Sequence, residues 1–269
     1  MSTVKSPLRY PGGKSRAVDR ILAQVPDAIR EYREPMVGGG SVFLAVKGVF
    51  RTRLSRYWIN DLNFDLYCFW KSARDDNARL AVRIGELKGQ YPQGRELWRL
   101  LNEEDPTRSD LERAVRFFIL NRITFSGVVD SGGYSEQAFK SRFTDSAIER
   151  VRKLEPMLSG VQITHQDYEP VMSEPGVGVY IFIDPPYWKA TGSRLYGVDG
   201  TLHTSFDHER FAQTAKDCPH QWLITYDDSD YIREQYQFAQ ITRWELQYGM
   251  NNYKQTSARK GGELFIRNY

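Results

Sequence analysis

Hydrophobic residues along this chain fall into two rhythms. Seven short apolar runs are bounded by Gly, Pro, Asp or Asn: YREPMV (32–37), RYWIND (56–61), VQITHQ (161–166), VYIFID (179–184), QWLITYD (221–227), FAQITRWELQY (238–248) and ELFIRNY (263–269). Runs of this length, closed by turn residues, predict buried β-strands. Between several of them lie stretches with helical spacing. SVFLAVKG follows the first run, HERFAQTAKDC the fourth and DSDYIREQYQF the fifth, where Asp228 or Ser229 is the expected N-cap. Strands alternating with helices predict an α/β fold: a mostly parallel sheet covered by helices on both faces.

Residues from about 65 to 155 are helix-rich instead. Within them RAVRFFILNR (113–122) carries an apolar stripe with basic edges, and a Gly/Ser-rich centre covers 124–136. The chain is read as a principal domain formed by 1–61 and 156–269, interrupted by an inserted second domain at 62–155.

Composition narrows the setting. At 269 residues, 41% hydrophobic and 26% charged, the chain reads as a soluble globular protein with room for a large core. Its formal net charge of +3 permits a polyanionic partner without demanding one. Cys68 and Cys218 stand far apart, which is not a disulfide framework and suits a reducing cytoplasm. The sequence shows no apolar secretion signal, and no run approaches the roughly eighteen apolar residues of a membrane span. His165, His203, His208 and His220 lack metal-ligand spacing, so no metal is expected.

The N-terminal SPLRYPGGKSR (6–16) contains Gly13-Lys14-Ser15, the tail of a phosphate-cradling loop. That loop needs an earlier glycine at position 8, which is Leu8, and a buried strand before it, which MSTVKS cannot supply. A triphosphatase is not the reading. Gly38, Gly39 and Gly40 in EPMVGGGSVF sit between a predicted strand and helix, where an open parallel sheet receives ligands. Glycines there admit close backbone approach, and the helix start offers N–H groups. About twenty residues on, Asp61 ends the next strand, a placement suited to the ribose hydroxyls of an adenosine ligand.

The most specific signal is Asp184-Pro185-Pro186-Tyr187, delivered by the apolar strand VYIFI. An exocyclic amine of a base is a poor nucleophile, because its lone pair is delocalised into the ring. A carboxylate from Asp184 and the carbonyl of Pro185 can each accept one N–H bond from such an amine and stabilise the positive charge that grows on it. The two prolines stiffen the turn. Tyr187 offers a flat face for the base, which must be flipped out of a duplex to arrive.

In this order LRYPGGK, EPMVGGGSVF, IND and DPPY resemble the N6-adenine DNA methyltransferases of the Dam type, the D12 class. The likeness covers roughly 5–70 and 113–269, including LNRITFSG and GGELFIRNY. It implies a Rossmann-like S-adenosylmethionine-dependent methyltransferase sheet with an inserted helical target-recognition domain. The implied activity is site-specific methylation of adenine N6 in double-stranded DNA, with S-adenosyl-L-methionine as donor. By position, Tyr10 would pack against the methionine part of the cofactor and Lys14 would pair with its carboxylate. Gly38 and Gly40 would approach it, Asp61 would hold its ribose, Asp167 would address its adenine, and Asp184 would lie beside it. Arg9 matches a DNA-touching position, and Asn121, Arg122 and Ser126 are candidates for DNA contact. Where Dam-type enzymes carry Tyr-Asn-Gly and then an arginine, this chain reads Phe125-Ser126-Gly127 and then Asp130, which argues against GATC as the target. The partners expected are duplex DNA and a paired restriction endonuclease, with no membrane and the chain itself a monomer. The alternatives are N4-methylation of cytosine, methylation of RNA or of a glutamine amide, and a catalytically silent cofactor-binding regulator.

Overall fold

The computed structural model describes residues 4–10, 13–188, 206–247 and 260–269. Its centre is a seven-stranded sheet of β1 (Glu31–Glu34), β2 (Arg56–Asn60), β3 (Val161–Thr164), β4 (Val179–Ile183), β5 (Gln221–Asp227), β6 (Gln240–Gln247) and β7 (Lys260–Arg267), in the order β3-β2-β1-β4-β5-β7-β6. The first five strands are parallel; β7 runs antiparallel between β5 and β6. Each of the seven apolar runs supplies one strand. Tyr248, the expected end of the sixth, lies outside the described residues, as do Pro11 and Gly12 of the N-terminal motif. β1 stops earlier than its apolar run because Pro35 has no N–H for the ladder.

Alternation along β4 divides the core in two. Tyr180 and Phe182 join one apolar cluster, and Val179, Ile181 and Ile183 join the other on the opposite face. The first face is covered by α1 (Val18–Leu22), α2 (Ser41–Phe50) and the helices that run between β2 and β3: α3 (Phe64–Asp75), α4 (Asn77–Gln90), α5 (Gly94–Asn102), α6 (Asp110–Ile123), α7 (Glu136–Arg142), α8 (Asp145–Arg152) and α9 (Glu155–Leu158). Leu80, Ile84 and Phe118 from this run share the apolar cluster that holds Tyr32 and Tyr57 of the sheet. The second face carries α10 (Tyr168–Ser173), α11 (His208–Asp217) and α12 (Asp230–Gln235). Ser229 caps α12, as its sequence position predicts, by accepting the N–H of Ile232.

Strand order reverses between β1 and β4, which opens a crevice at their carboxyl ends. Asn60 pins that edge. Its buried amide donates to the carbonyls of Pro35 and Gln166, both at 2.9 Å, and its oxygen accepts from Thr164 Oγ1 and the Gln166 N–H. The ends of β1, β2 and β3 are thus tied through one side chain, immediately before Asp61.

Candidate active site

The glycine turn leaves β1 and enters α2. Gly38 and Gly40 have φ of +48° and +65°, a region that disfavours side chains. A Cβ on Gly38 would lie 2.9 Å from the Tyr10 ring, and one on Gly40 would lie 2.6 Å from the Trp70 ring. The turn is therefore sandwiched between the N-terminal segment and α3. Trp70 Nε1 donates to the Gly38 carbonyl at 3.1 Å, and the Gly38 N–H donates to Asp61 Oδ2 at 2.9 Å. Asp61 Oδ1 accepts the Asn63 N–H at 3.0 Å. Burial raises the Asp61 carboxyl, and these two N–H bonds oppose the rise.

Glu34 closes the floor of the turn. It is buried, accepts the Tyr32 hydroxyl at 2.5 Å and accepts the Phe43 N–H in the first turn of α2. Burial pushes its carboxyl well above the usual range. Leu62 and Phe64 are exposed beside Asp61, and Phe64 packs on His165 with ring centres 5.1 Å apart.

Asp184 follows β4 directly, at the far wall of the crevice. Lys14, which is buried, places Nζ 2.7 Å from Oδ1 and 2.8 Å from Oδ2 of Asp184. Thr225 on β5 donates its hydroxyl to Asp184 Oδ1 at 2.7 Å. The Lys14 ammonium also lies 4.7 Å from the centre of the Tyr187 ring. Tyr187 donates its hydroxyl to Glu263 on β7. Burial, then the charges of Asp184 and Glu263, push the Tyr187 hydroxyl well above its ordinary range. The Gly13 N–H donates to the Tyr10 carbonyl at 3.0 Å, immediately before Lys14. Tyr10, Lys14, Gly38, Gly40, Asp61, Asp184, Pro185, Pro186 and Tyr187, scattered over the sequence, converge on one edge of the sheet.

Other expected residues have a different placement. Asn121 is fully buried: its oxygen accepts the Arg9 N–H at 2.7 Å, and its amide donates to the carbonyls of Arg9 and Gly127 at 2.7 and 3.0 Å. Expected to meet DNA, it instead docks the N-terminal segment onto the end of α6, because a buried amide must satisfy its bonds internally. Arg122 is also buried and donates to the Pro7 carbonyl. Burial and the charges of Arg150, Arg9 and Arg142 lower its guanidinium to about 9. Ser126 sits at a turn tip with φ +56°, next to the exposed ring of Phe125. Asp167 lies beyond β3, caps α10 through the Glu169 N–H, and pairs with Arg210 at 3.0 Å. Glu34, Trp70, Thr225 and Glu263 carry the site without having been assigned a role from sequence. Their common signal is a polar or bulky residue at an element end or within an apolar strand.

Sheet order and glycine turn together define a Rossmann-like methyltransferase fold. Residues 10–250 match the family of D12 class N6 adenine-specific DNA methyltransferases, and the chain belongs to that family. It is similar to the Type II methyltransferase M.MjaIII of Methanocaldococcus jannaschii, 26% identical over 68% of this chain and 69% of that one. It is also similar to the Type II methyltransferase M1.LlaDCHI of Lactococcus lactis subsp. cremoris, 23% identical over 97% and 94% of the two chains. The DNA adenine methylase of Vibrio cholerae is 25% identical over 87% of this chain and 85% of its own. The protein is accordingly an enzyme that methylates adenine in DNA. No helix among the described residues is long and apolar enough to cross a membrane.

Proposed function

We propose that this site binds S-adenosyl-L-methionine over the Gly38–Gly40 turn and receives, at Asp184–Tyr187, an adenine flipped out of duplex DNA. The supporting observation is the placement of Asp184: its carboxylate stands at the crevice with Lys14, Thr225 and Tyr187 gathered around it. The donor set suits this cofactor. The turn is a cradle that a Cβ would fill, Asp61 holds a carboxylate against the Gly38 N–H at the next strand end, and Lys14 offers an ammonium for a carboxylate. When bound, S-adenosylmethionine supplies an electrophilic methyl group on a sulfonium.

The residues of the chain do the rest. Asp184 and the Pro185 carbonyl accept the two N6 hydrogens, localise the amine lone pair and stabilise the charge that develops on nitrogen. An ionised carboxylate has about four acceptor sites, so Asp184 can hold Thr225 and the amine together. Lys14 occupies Asp184 in the structure and must move toward a competing carboxylate for the amine to bind there. Tyr187 stacks on the base. Asp184 takes the proton left on nitrogen after transfer.

The inserted segment 62–155 serves as the target-recognition domain in this reading. Phe125 is 62% exposed at a tip that touches Arg9 through Gly127, which suits insertion between bases. Arg9, Arg142 and Arg150 gather around the buried Arg122, none of the four with an ion pair to a carboxylate among the described residues, and a backbone phosphate is the natural counter-charge for the three that reach the surface. The chain acts as a monomer, alongside a restriction endonuclease of matching specificity.

Labelled methyl transfer from S-adenosylmethionine to DNA from a host lacking adenine methylation tests the whole, with nucleoside mass analysis of the product. N6-methyladenine is expected. DNA binding without transfer would instead support a silent regulator.

A further inference from the structure

Glu263 is an acid in the wrong surroundings for a structural residue. It lies inside β7, followed by Leu264, Phe265 and Ile266, and is 1% exposed. Among the described residues no arginine or lysine forms an ion pair with it. Its neighbours across the sheet are Asp227 on β5 and Trp244 on β6. The charged and titratable groups that face it are Lys14, Tyr187, Asp184 and Asp227, two of which are carboxylates. Burying a carboxyl there costs free energy that an apolar side chain would not.

What Glu263 does hold is the hydroxyl of Tyr187. The two prolines before Tyr187 restrain the backbone of the turn, but they leave the side-chain torsions of Tyr187 open. The Tyr226 ring, 6.0 Å away and tilted by 35°, and the Lys14 ammonium give approximate boundaries. A hydrogen bond to the hydroxyl fixes the position of the far end of the ring.

We propose that Glu263 is a positioning residue for methyl transfer, which holds the Tyr187 hydroxyl from the last strand and so sets the ring on which the target base is received. The inference rests on the reading of Tyr187 as the base platform. An ionised Glu263 makes the stronger, charge-assisted bond to a hydroxyl donor. Burial pushes its carboxyl up to about 7, with Asp184 and Asp227 adding to the rise and Lys14 opposing it. The hold on Tyr187 therefore tightens as pH rises through neutrality.

The test uses the full-length enzyme, labelled S-adenosylmethionine and adenine-unmethylated bulk DNA in single turnover. E263Q is expected to slow transfer about 10–100-fold, the size of a small misplacement of a reacting group. KM for S-adenosylmethionine should stay within about twofold, since Tyr187 is on the base side. Y187F, which removes the same hydroxyl from the other end, should match E263Q, and the double variant should be no slower than either single one. The wild-type rate should rise between about pH 6 and 8, and E263Q should be flat over that window. E263Q or Y187F at the wild-type rate, additive losses in the double variant, or an unchanged pH profile in E263Q would each overturn the proposal. Where E263Q does not fold, Y187F alone decides. Y187A at the wild-type rate would instead remove the platform reading itself, whereas a slow Y187A beside a normal E263Q removes only the role of Glu263.

Discussion

The ammonium of Lys14 bonds both carboxylate oxygens of Asp184, at 2.7 and 2.8 Å, although the two residues are 170 positions apart in the chain. Each is set where the other needs a partner. Lys14 is buried with its ammonium against the Asp184 carboxylate, and Thr225 holds one of the same oxygens from β5. The same lysine cannot serve Asp184 and a cofactor carboxylate equally, so cofactor binding and access of the amine to Asp184 are linked.

If Lys14 pairs with the carboxylate of S-adenosylmethionine, K14Q should weaken cofactor binding about 10–100-fold, the worth of a charge-assisted hydrogen bond. Calorimetric titration of the DNA-free protein measures this. An unchanged affinity would place the cofactor carboxylate elsewhere.

D184N keeps the shape of the side chain and removes its charge. Transfer should fall about 10²–10³-fold, as when one preorganised electrostatic group is lost from a transition state. Binding of S-adenosylmethionine should change far less, which equilibrium dialysis can check against the single-turnover rate.

Gly40→Ala places a methyl group 2.6 Å from the Trp70 ring at a φ of +65°. Strain and displacement of a buried indole together should lower stability by about 2 kcal/mol or more. Thermal unfolding would read the loss, and Gly39→Ala, whose φ is not in that region, should lose less.

Asn121→Ala removes three hydrogen bonds that dock Arg9 and Gly127. The expected loss is roughly 1–3 kcal/mol, since backbone groups are left without partners. Amide exchange at Arg9 should quicken, and transfer should slow because Tyr10 and Lys14 lie on the released segment.

Glu263 ties stability to pH. Its carboxyl is raised to about 7 in the folded protein, so between the ordinary carboxylate range and that value the folded state holds more protons than the unfolded one. This contribution is fully present below about pH 4.5 and is lost as pH rises through about 7, on the order of 3 kcal/mol in total. The stability of wild type relative to E263Q should therefore fall between pH 5 and 8 in denaturant titrations, the opposite of an ordinary ion-paired acid.

Much of the site was legible because strand ends are marked by composition. Asp61 and Asp184 each close an apolar run, and three glycines close another, so their arrival at one sheet edge follows from parallel packing. Asn121 was misread because a polar residue next to arginine at a helix end looks the same in sequence whether it faces DNA or a chain segment more than a hundred residues away. Glu263 stood inside a quoted motif, yet an acid in an apolar strand signals only that a partner exists, not which one.

By itself the sequence determined the strands, their alternation with helices and the chemistry of Asp-Pro-Pro-Tyr, because periodicity and turn residues are local properties of the chain. Only the tertiary structure decided which side chains meet: Lys14 with Asp184, Trp70 under Gly40, Glu263 on the Tyr187 hydroxyl. Those pairings depend on strand order and on burial, and both are set by how the whole chain covers its apolar surface rather than by any one segment.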